Sequence, residues 1–159
     1  MQWIELEFGK HSGRSLPQIA FANPGYLLWL QERDVLKTRE LRRQLSYVLW
    51  RAQHILIPDN VDGNRRVRYY GKDWTEKRTT KVEVVGAEVP SPKSVFSRDV
   101  EYFDLLYAVK RDGFDKSGTR LIVAAVKRRV FGDPEVRLTR AWIEDFFNDG
   151  SKFEKAPHF

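Results

Sequence analysis

Apolar and polar positions divide the first part of the chain into a short strand and three helices. Residues 3–8 (WIELEF) alternate apolar and acidic side chains, which is the period-two pattern of a half-buried strand. The glycines of residues 8–15 (FGKHSGRS) predict a turn or hairpin directly after it. Ser15 and Asn23 are expected to cap two short helices with a proline in the first turn of each. Thr38 is expected to begin a longer amphipathic helix.

The second part of the chain changes from turn chemistry to β structure and then back to helices. Residues 67–85 (VRYYGKDWTEKRTTKVEVV) predict a β-ribbon that is rich in cations. Helical spacing returns in residues 98–111, although the apolar run FDLLYAV within them also suits a strand. Residues 119–131 predict a helix with a basic C-terminal end, and Thr139 is expected to cap the last helix. Residues 150–159 are expected to fray.

These elements together predict an α+β protein. It would have a short N-terminal strand or hairpin with three helices, then a basic β-ribbon and two or three further helices. We expect a module in residues 1–58 and a basic α+β segment in residues 59–159, packed together as one compact unit. Apolar residues make up 42% of the chain, and a chain of this length can bury enough of them to need no disulfide or metal.

The composition excludes several classes of protein. The chain has no cysteine, which removes disulfides, thiol nucleophiles, Cys-based zinc sites and iron–sulfur clusters. No apolar run approaches the roughly 20 residues that span a bilayer. The N-terminal segment lacks the basic start and the long apolar run of a signal peptide. The sequence therefore predicts a soluble cytoplasmic protein with no membrane partner.

The charge balance favours a polyanionic partner. The formal net charge is +6, and cations that contact phosphates gain affinity through counterion release. The same charge would also keep a small domain soluble, so its distribution along the chain matters. Residues 127–129 form a small basic patch, which the C-terminal end of a helix explains more simply than a ligand does.

The densest basic run, residues 65–81, interleaves cations with Tyr and Trp. Such a mixture on a β-ribbon suits a nucleic-acid surface, because it pairs phosphate neutralisation with base stacking. The alternative is a solvated sheet edge, on which cations discourage edge-to-edge pairing. The candidate contact residues in this run are Arg65, Arg66, Arg68, Lys72, Trp74, Lys77 and Arg78.

Residues 1–35 carry the motif of a known family. The stretch FGKHSGRSL followed by NPGYLLWL resembles the small domain at the C-terminus of exonuclease X-like proteins. That family has an F-G-K-x-x-G-K/R-x-[IL] turn and then D/N-P-x-Y-L-x-W-[LM]. The matching residues are Phe8, Gly9, Lys10, Gly13, Arg14, Leu16, Pro24, Tyr26, Leu27, Trp29 and Leu30. Because such domains lie beside DNA-processing catalytic domains, the resemblance implies a nucleic-acid-binding or targeting accessory.

The turn within this motif is a candidate phosphate site. Lys10, His11 and Arg14 flank the two glycines, whose backbone amides could also face an anion. The spacing is not that of a P-loop, so ATP is not indicated. Tyr26, Trp29 and Trp50 could offer stacking faces for unpaired bases, although aromatic residues at helical spacing more often belong to a core. The alternative is a structural turn whose cations face water.

No group of residues predicts catalysis. Asp99 and Glu101 are close in sequence, but helical geometry would direct them apart. Asp59 and Glu83 faintly resemble the carboxylates of a metal-dependent nuclease, but that pattern requires a lysine where Val85 stands. We therefore assign no catalytic residue, no metal ligand and no cofactor.

The sequence thus predicts a non-catalytic accessory protein that binds DNA or RNA through phosphate contacts. DNA is favoured over RNA, and the expected role is to assist DNA processing or replication beside a DNA-processing protein. No nuclease activity is carried over from the family, because only residues 1–7 precede the motif. Two alternatives stay open: a protein–protein adaptor whose charge is incidental, and a small metal-dependent nuclease.

Overall fold

The computed structural model describes residues 1–111 and 115–157. The chain divides into two structural units, and each is described by itself. Unit 1 consists of Met1–Ala52 together with Arg137–Phe159, and unit 2 consists of Gln53–Val136. Helices and antiparallel sheets are both present, so the predicted α+β class is confirmed.

The elements are numbered in chain order. The helices are α1 (Leu16–Ala22), α2 (Pro24–Arg33), α3 (Arg39–Gln53), α4 (Lys116–Val130) and α5 (Arg140–Asn148), and a short 3-10 helix follows at Gly150–Lys152. The strands are β1 (Ile55–Leu56), β2 (Arg65–Gly71), β3 (Lys81–Gly86), β4 (Phe96–Val100) and β5 (Tyr102–Phe103). Within the described residues, no helix is both long and apolar enough to cross a membrane.

The helices of unit 1 begin where the sequence predicts. The backbone N–H of Ser15 donates to Oε1 of Gln18 at 3.0 Å, one half of a capping box at the start of α1. Thr38 and Thr139 each accept on Oγ1 an N–H from the first turn of the helix that follows, at 3.2 Å. Each cap satisfies a backbone donor that has no partner inside its helix.

The N-terminal residues form a hairpin held by a single bridge rather than a regular strand. The bridge pairs Glu5 with Ser15. Trp3 and Leu6 are buried, whereas Ile4 is exposed, so burial does not follow the period of two that the sequence predicts.

A side chain of α3 takes the place of a partner strand for this segment. Gln44 is fully buried and accepts the backbone N–H of Ile4 on Oε1 at 3.1 Å. Its Nε2 donates to the backbone carbonyl of Gln2 at 2.9 Å. The N–H of Ile4 and the carbonyl of Gln2 are therefore satisfied by a side chain rather than by a partner strand.

The core of unit 1 includes a cluster of phenylalanine rings from α1 and α5. Phe21 of α1 lies with its ring centroid 6.1 Å from Phe146 and 6.0 Å from Phe147. Phe153 is also buried, at 4.9 Å from Phe146. Helix α5 and Phe153, which the sequence predicts as part of the second segment, therefore contribute to the core of unit 1.

The expectation of a frayed tail is wrong for its first part. The 3-10 helix Gly150–Lys152 leads the buried Phe153 back onto α5, because an aromatic ring gains more by burial than the tail loses by ordering. His158 and Phe159, which end the predicted tail, lie outside the described residues.

Unit 2 contains a three-stranded antiparallel sheet in the order β3-β2-β4 and a small pair of β1 with β5. The helix predicted for residues 98–111 is wrong, because β4, β5 and a series of turns occupy this segment. The register that pairs Tyr69 with Arg98 fixes β4 on β2. The apolar spacing of this segment fits a helix, but it also fits short strands joined by turns. The pairing with β2, which is distant in sequence, favours the strands over the helix.

Helix α4 packs against β3, and its Ile122 and Val126 are fully buried. Its predicted helical character is confirmed, and Asp115 caps it by accepting the N–H of Gly118 at 2.8 Å. The second carboxylate oxygen of Asp115 accepts the N–H of Thr79 at 2.9 Å, which ties the start of α4 to the residues before β3.

Candidate nucleic-acid interface

The glycine turn, residues 8–14, is closed by backbone hydrogen bonds within its own hairpin. Gly9 and Gly13 have φ angles of +73° and +85°, which side chains other than glycine rarely adopt. The N–H groups of Ser12, Gly13 and Arg14 donate to carbonyls of the hairpin at 2.8–3.2 Å. These three amides, which include that of Gly13, are therefore not available to an anion.

His11 joins the glycine turn to α2. The side-chain amide of Asn23 lies 3.1 Å from Nε2 of His11, and the edge of the His11 ring meets the Tyr26 ring at 4.7 Å between centroids. Burial, and then the charges of Arg14 and Lys10, lower the pKa of His11. The ring is therefore neutral at physiological pH and accepts the amide hydrogen on Nε2. His11 shapes this surface but adds no charge to it.

Tyr26 links the candidate residues of the turn to Trp29. The Nζ atom of Lys10 lies 5.7 Å from the Tyr26 ring centroid, within cation–π range. Tyr26 stacks on Trp29 at 5.1 Å between centroids and 26° between ring planes. Trp29 is 40% exposed. We call Lys10, His11, Tyr26 and Trp29 the Tyr26 cluster.

The structure thus brings the predicted Lys10, His11 and Trp29 together, with Arg14 close enough to influence the pKa of His11. Tyr26 was considered as a stacking face but is not among the candidate contact residues that the sequence predicts. Its spacing of three residues from Trp29 on one helix is the signal that indicates a stacked pair.

Replacement of Gly9 by alanine is expected to disrupt the Tyr26 cluster. A Cβ atom at this position would lie 2.5 Å from the hydroxyl oxygen of Tyr26, in addition to the cost of the positive φ. Gly13→Ala is the matched control, because its φ is also positive but no heavy atom lies within 4 Å of the added Cβ. Gly13→Ala should lower the free energy of unfolding by about 1–2 kcal/mol, and Gly9→Ala by more.

Urea unfolding measures both losses, and the NMR signal of the Trp29 indole N–H reports the position of Tyr26, because the fluorescence of the five tryptophans would overlap. Gly9→Ala should shift this signal and Gly13→Ala should not. Equal losses of stability with an unshifted signal would show that Tyr26 does not lie over the turn.

Arg68, at the centre of β2 in unit 2, is a structural residue. Its guanidinium donates to both carboxylate oxygens of Asp99, at 2.7 and 3.0 Å, and also to the carbonyls of Val89 and Pro90 at 2.6 and 3.0 Å. The bonds to Asp99 raise the pKa of Arg68, although burial opposes them. The side chain is 2% exposed, so this predicted contact residue does not face solvent.

Arg66 and Arg65, the other two cations of β2, differ in how far their charges are available to a ligand. Arg66 donates through Nη1 to the carbonyls of Gly63 and Arg65, at 2.6 and 2.8 Å, and lies 4.0 Å from Glu101. It is thus partly used in holding the turn before β2. Arg65 is exposed at the start of the strand and presents its charge to solvent.

Aromatic and cationic side chains surround the buried ring of Phe96. Trp74 meets it edge-on at 5.2 Å and is 66% exposed. The Nζ atom of Lys77 lies 5.2 Å from the Phe96 centroid. The Arg111 guanidinium lies 5.8 Å from the same centroid and 4.7 Å from that of Tyr107. We call Trp74, Lys77, Phe96 and Arg111 the Phe96 cluster.

Arg111 was not predicted as a contact residue. The sequence predicts Arg111 at the end of a helix, far along the chain from the basic run of residues 65–81. Arg111 lies in the turns that follow β5. A local sequence pattern does not locate these turns, because their position depends on the pairing of β4 with β2.

The loop between β2 and β3 carries the remaining candidates. Lys72 is exposed. Arg78 is also exposed and pairs with Glu76 at 2.8 Å, an ion pair that solvent weakens. Asp73 accepts the N–H groups of Thr75 and Glu76 at 2.8 Å, and the bonds from Thr75 help to lower the pKa of Asp73 to about 2. This turn fixes the backbone on which Lys72 and Trp74 stand.

Two of the carboxylates considered for catalysis, Glu83 and Asp99, have other partners. Glu83 accepts from the Tyr70 hydroxyl, which lowers its pKa, and lies 3.1 Å from Nζ of Lys81. Asp99 is held by Arg68. In residues 1–111 and 115–157, no three acidic or histidine side chains form a group that could hold a metal ion.

No protein-family model, curated protein or solved structure matches this chain. The resemblance of residues 1–35 to the exonuclease X-like domain therefore stays a prediction from its motif.

Proposed function

We propose that this protein is a non-catalytic nucleic-acid-binding accessory that assists DNA processing or replication. The observation that carries the proposal is the Tyr26 cluster, in which an exposed tryptophan is stacked on a tyrosine beside Lys10. The preference for DNA over RNA and the role beside a processing protein rest on the motif resemblance of residues 1–35.

The Tyr26 cluster suits a single-stranded ligand. One face of Trp29 is covered by Tyr26, and the ring remains substantially exposed for a base to stack on. Lys10 and the exposed Arg14 can contact the phosphates on either side of such a base. Because Tyr26 is already stacked, Trp29 loses little freedom when a base binds.

The Phe96 cluster of unit 2 repeats this chemistry with other residues. Trp74 is largely exposed, and Lys77 and Arg111 lie over the ring that Trp74 touches. The exposed cations Arg65, Lys72 and Arg78 belong to the same unit. Each unit thus carries an exposed tryptophan with cations near it, which favours a nucleic-acid ligand over incidental charge.

The test is equilibrium binding of oligothymidine, a DNA duplex and a single-stranded RNA at several salt concentrations. Lys10→Gln and Arg14→Gln should each flatten the dependence of log affinity on log salt for oligothymidine by about 0.7. Trp29→Leu should weaken single-strand binding by about 1–3 kcal/mol without changing that slope, because stacking releases no counterions. Trp142→Leu is the control, since Trp142 is 43% exposed in the same unit but lies outside the Tyr26 cluster.

Two results would contradict the proposal. If the Lys10 and Arg14 variants keep the full affinity and salt slope, the cations of the glycine turn only face water. If Mg²⁺ causes cleavage that is lost in Glu83→Ala, the nuclease alternative is correct.

A further inference from the structure

The strand β3 has a free edge. It is the outer strand of the sheet β3-β2-β4, and in the part of the chain that the structure describes no strand pairs with its other side. Such an edge presents backbone donors and acceptors that can pair with another extended chain.

The pairing of β3 with β2 shows which backbone groups of β3 point away from the sheet. Ala87 donates its N–H to the carbonyl of Asn64 at 2.6 Å, just beyond the pair of Arg65 with Gly86. Hydrogen-bonded and non-bonded pairs alternate along an antiparallel ladder, so the backbone of Glu83 faces β2. The N–H and carbonyl groups of Val82 and Val84 therefore point away from β2.

Helix α4 forms the other wall of a groove beside this edge. The groove has a volume of about 430 Å³ and is lined by residues 80–84 together with Phe103 and one side of α4. Leu121 is 39% exposed there, and the small side chains of Ala124 and Ala125 leave room next to it. This volume lies in the range of about 300–1,000 Å³ that ligand pockets occupy.

The charge of the groove is positive. Arg128 and Arg129 line it and are exposed. The charges of Lys81 and Glu83, which also line it, are paired with each other at 3.1 Å. The C-terminal end of α4 contributes about half a negative charge, which two arginines exceed.

We propose that the β3–α4 groove binds an extended acidic peptide segment of a partner protein, which adds to β3 as a further strand. Alternate side chains of an added strand would enter the groove against Leu121, Ala124 and Ala125. Acidic residues of the peptide would lie near Arg128 and Arg129. This site is distinct from the Tyr26 and Phe96 clusters and does not depend on the proposed function.

The backbone of the edge favours a peptide over a nucleic acid. Val82 and Val84 present both N–H donors and carbonyl acceptors, and a peptide backbone offers both in return. A phosphate backbone offers acceptors but no donors, and would leave the carbonyls unpaired. A second copy of this chain is disfavoured, because its own Lys81 and arginines would meet like charges across the interface.

The experiment selects random peptides on immobilised full-length protein and then maps the selected peptides by amide chemical shifts. The selection should enrich peptides that alternate acidic and apolar residues. The enriched peptide should shift the amide signals of residues 82–84 and of residues 121–129. Arg128→Glu should weaken its binding at least tenfold, whereas Arg120→Glu, an exposed charge reversal on the same helix outside the groove, should leave it unchanged.

N-methylation of alternate peptide bonds tests the added strand directly, because it removes donors and keeps the side chains. One of the two alternating patterns should abolish binding. The proposal is overturned if both methylated peptides bind as well as the parent, if no peptide is enriched relative to the Arg128→Glu protein, or if the shifts fall outside the groove. It is also overturned if oligothymidine displaces the peptide while shifting the same signals, or if the protein itself dimerises through β3.

Discussion

Replacement of Phe147 by alanine is expected to lower the free energy of unfolding of unit 1 by about 3–5 kcal/mol. The ring is fully buried and contacts Phe21, Phe146 and Phe153 at centroid distances of 5.6–6.0 Å. Its removal would leave a cavity at the point where α5 packs on α1. Urea unfolding, followed by amide exchange of α1 and α3, measures the loss in this unit.

Asp145→Ala on the same helix is the control, because Asp145 is exposed and its loss should change stability by less than about 0.5 kcal/mol. A loss of similar size in both variants would indicate a general effect on α5. A negligible loss for Phe147→Ala would show that residues 137–159 are not part of the core of unit 1.

Arg68→Met is expected to lower the stability of unit 2 by about 2–3 kcal/mol, less than for a fully buried ion pair, because Asp99 is 29% exposed and water partly screens its unpaired charge. The change would leave Asp99 without its bidentate partner and the carbonyls of Val89 and Pro90 without donors. Arg65→Met replaces an exposed arginine on the same strand and should change stability by less than about 0.5 kcal/mol. Urea unfolding with amide exchange of β2 and β4 compares the two.

The double variant Arg68→Met with Asp99→Leu shows how much of the lost stability comes from the unpaired charge of Asp99 and how much from the other hydrogen bonds of Arg68. It should recover part of the stability lost in Arg68→Met, because no unpaired charge remains beside the sheet. If Arg68→Met and Arg65→Met are equally stable, Arg68 does not hold β4 and the loop of residues 89–90 to the sheet.

Local signals predicted the helices of unit 1 and the ribbon of β2 and β3 well, but they missed the pairing of β4 with β2. Ser15, Thr38 and Thr139 mark helix starts because each cap involves only nearby residues. The segment 98–111 was predicted as a helix because its apolar spacing fits that period too. Its true structure depends on pairing with residues far away in sequence, which no local pattern contains.

In the candidate site, too, residues that are close in sequence could be predicted and contacts between distant residues could not. Lys10, His11 and Trp29 could be found from a motif because the glycine turn and α2 are adjacent in sequence. The role of Arg68 could not be found, because a buried arginine and an exposed one look alike in a basic run, and only Asp99 on another strand distinguishes them. Arg111 was missed for the converse reason, since it joins the Phe96 cluster from outside the run.

The discontinuous composition of unit 1 has a consequence for how the protein is made. A ribosome releases the N-terminal segment first, and domains generally fold as they emerge. Unit 2 is complete in sequence at Val136, whereas the rings of residues 146–153 that pack around Phe21 are translated only after the whole of unit 2. Nascent α1 therefore exposes apolar surface while unit 2 is being made, and the core of unit 1 closes only afterwards.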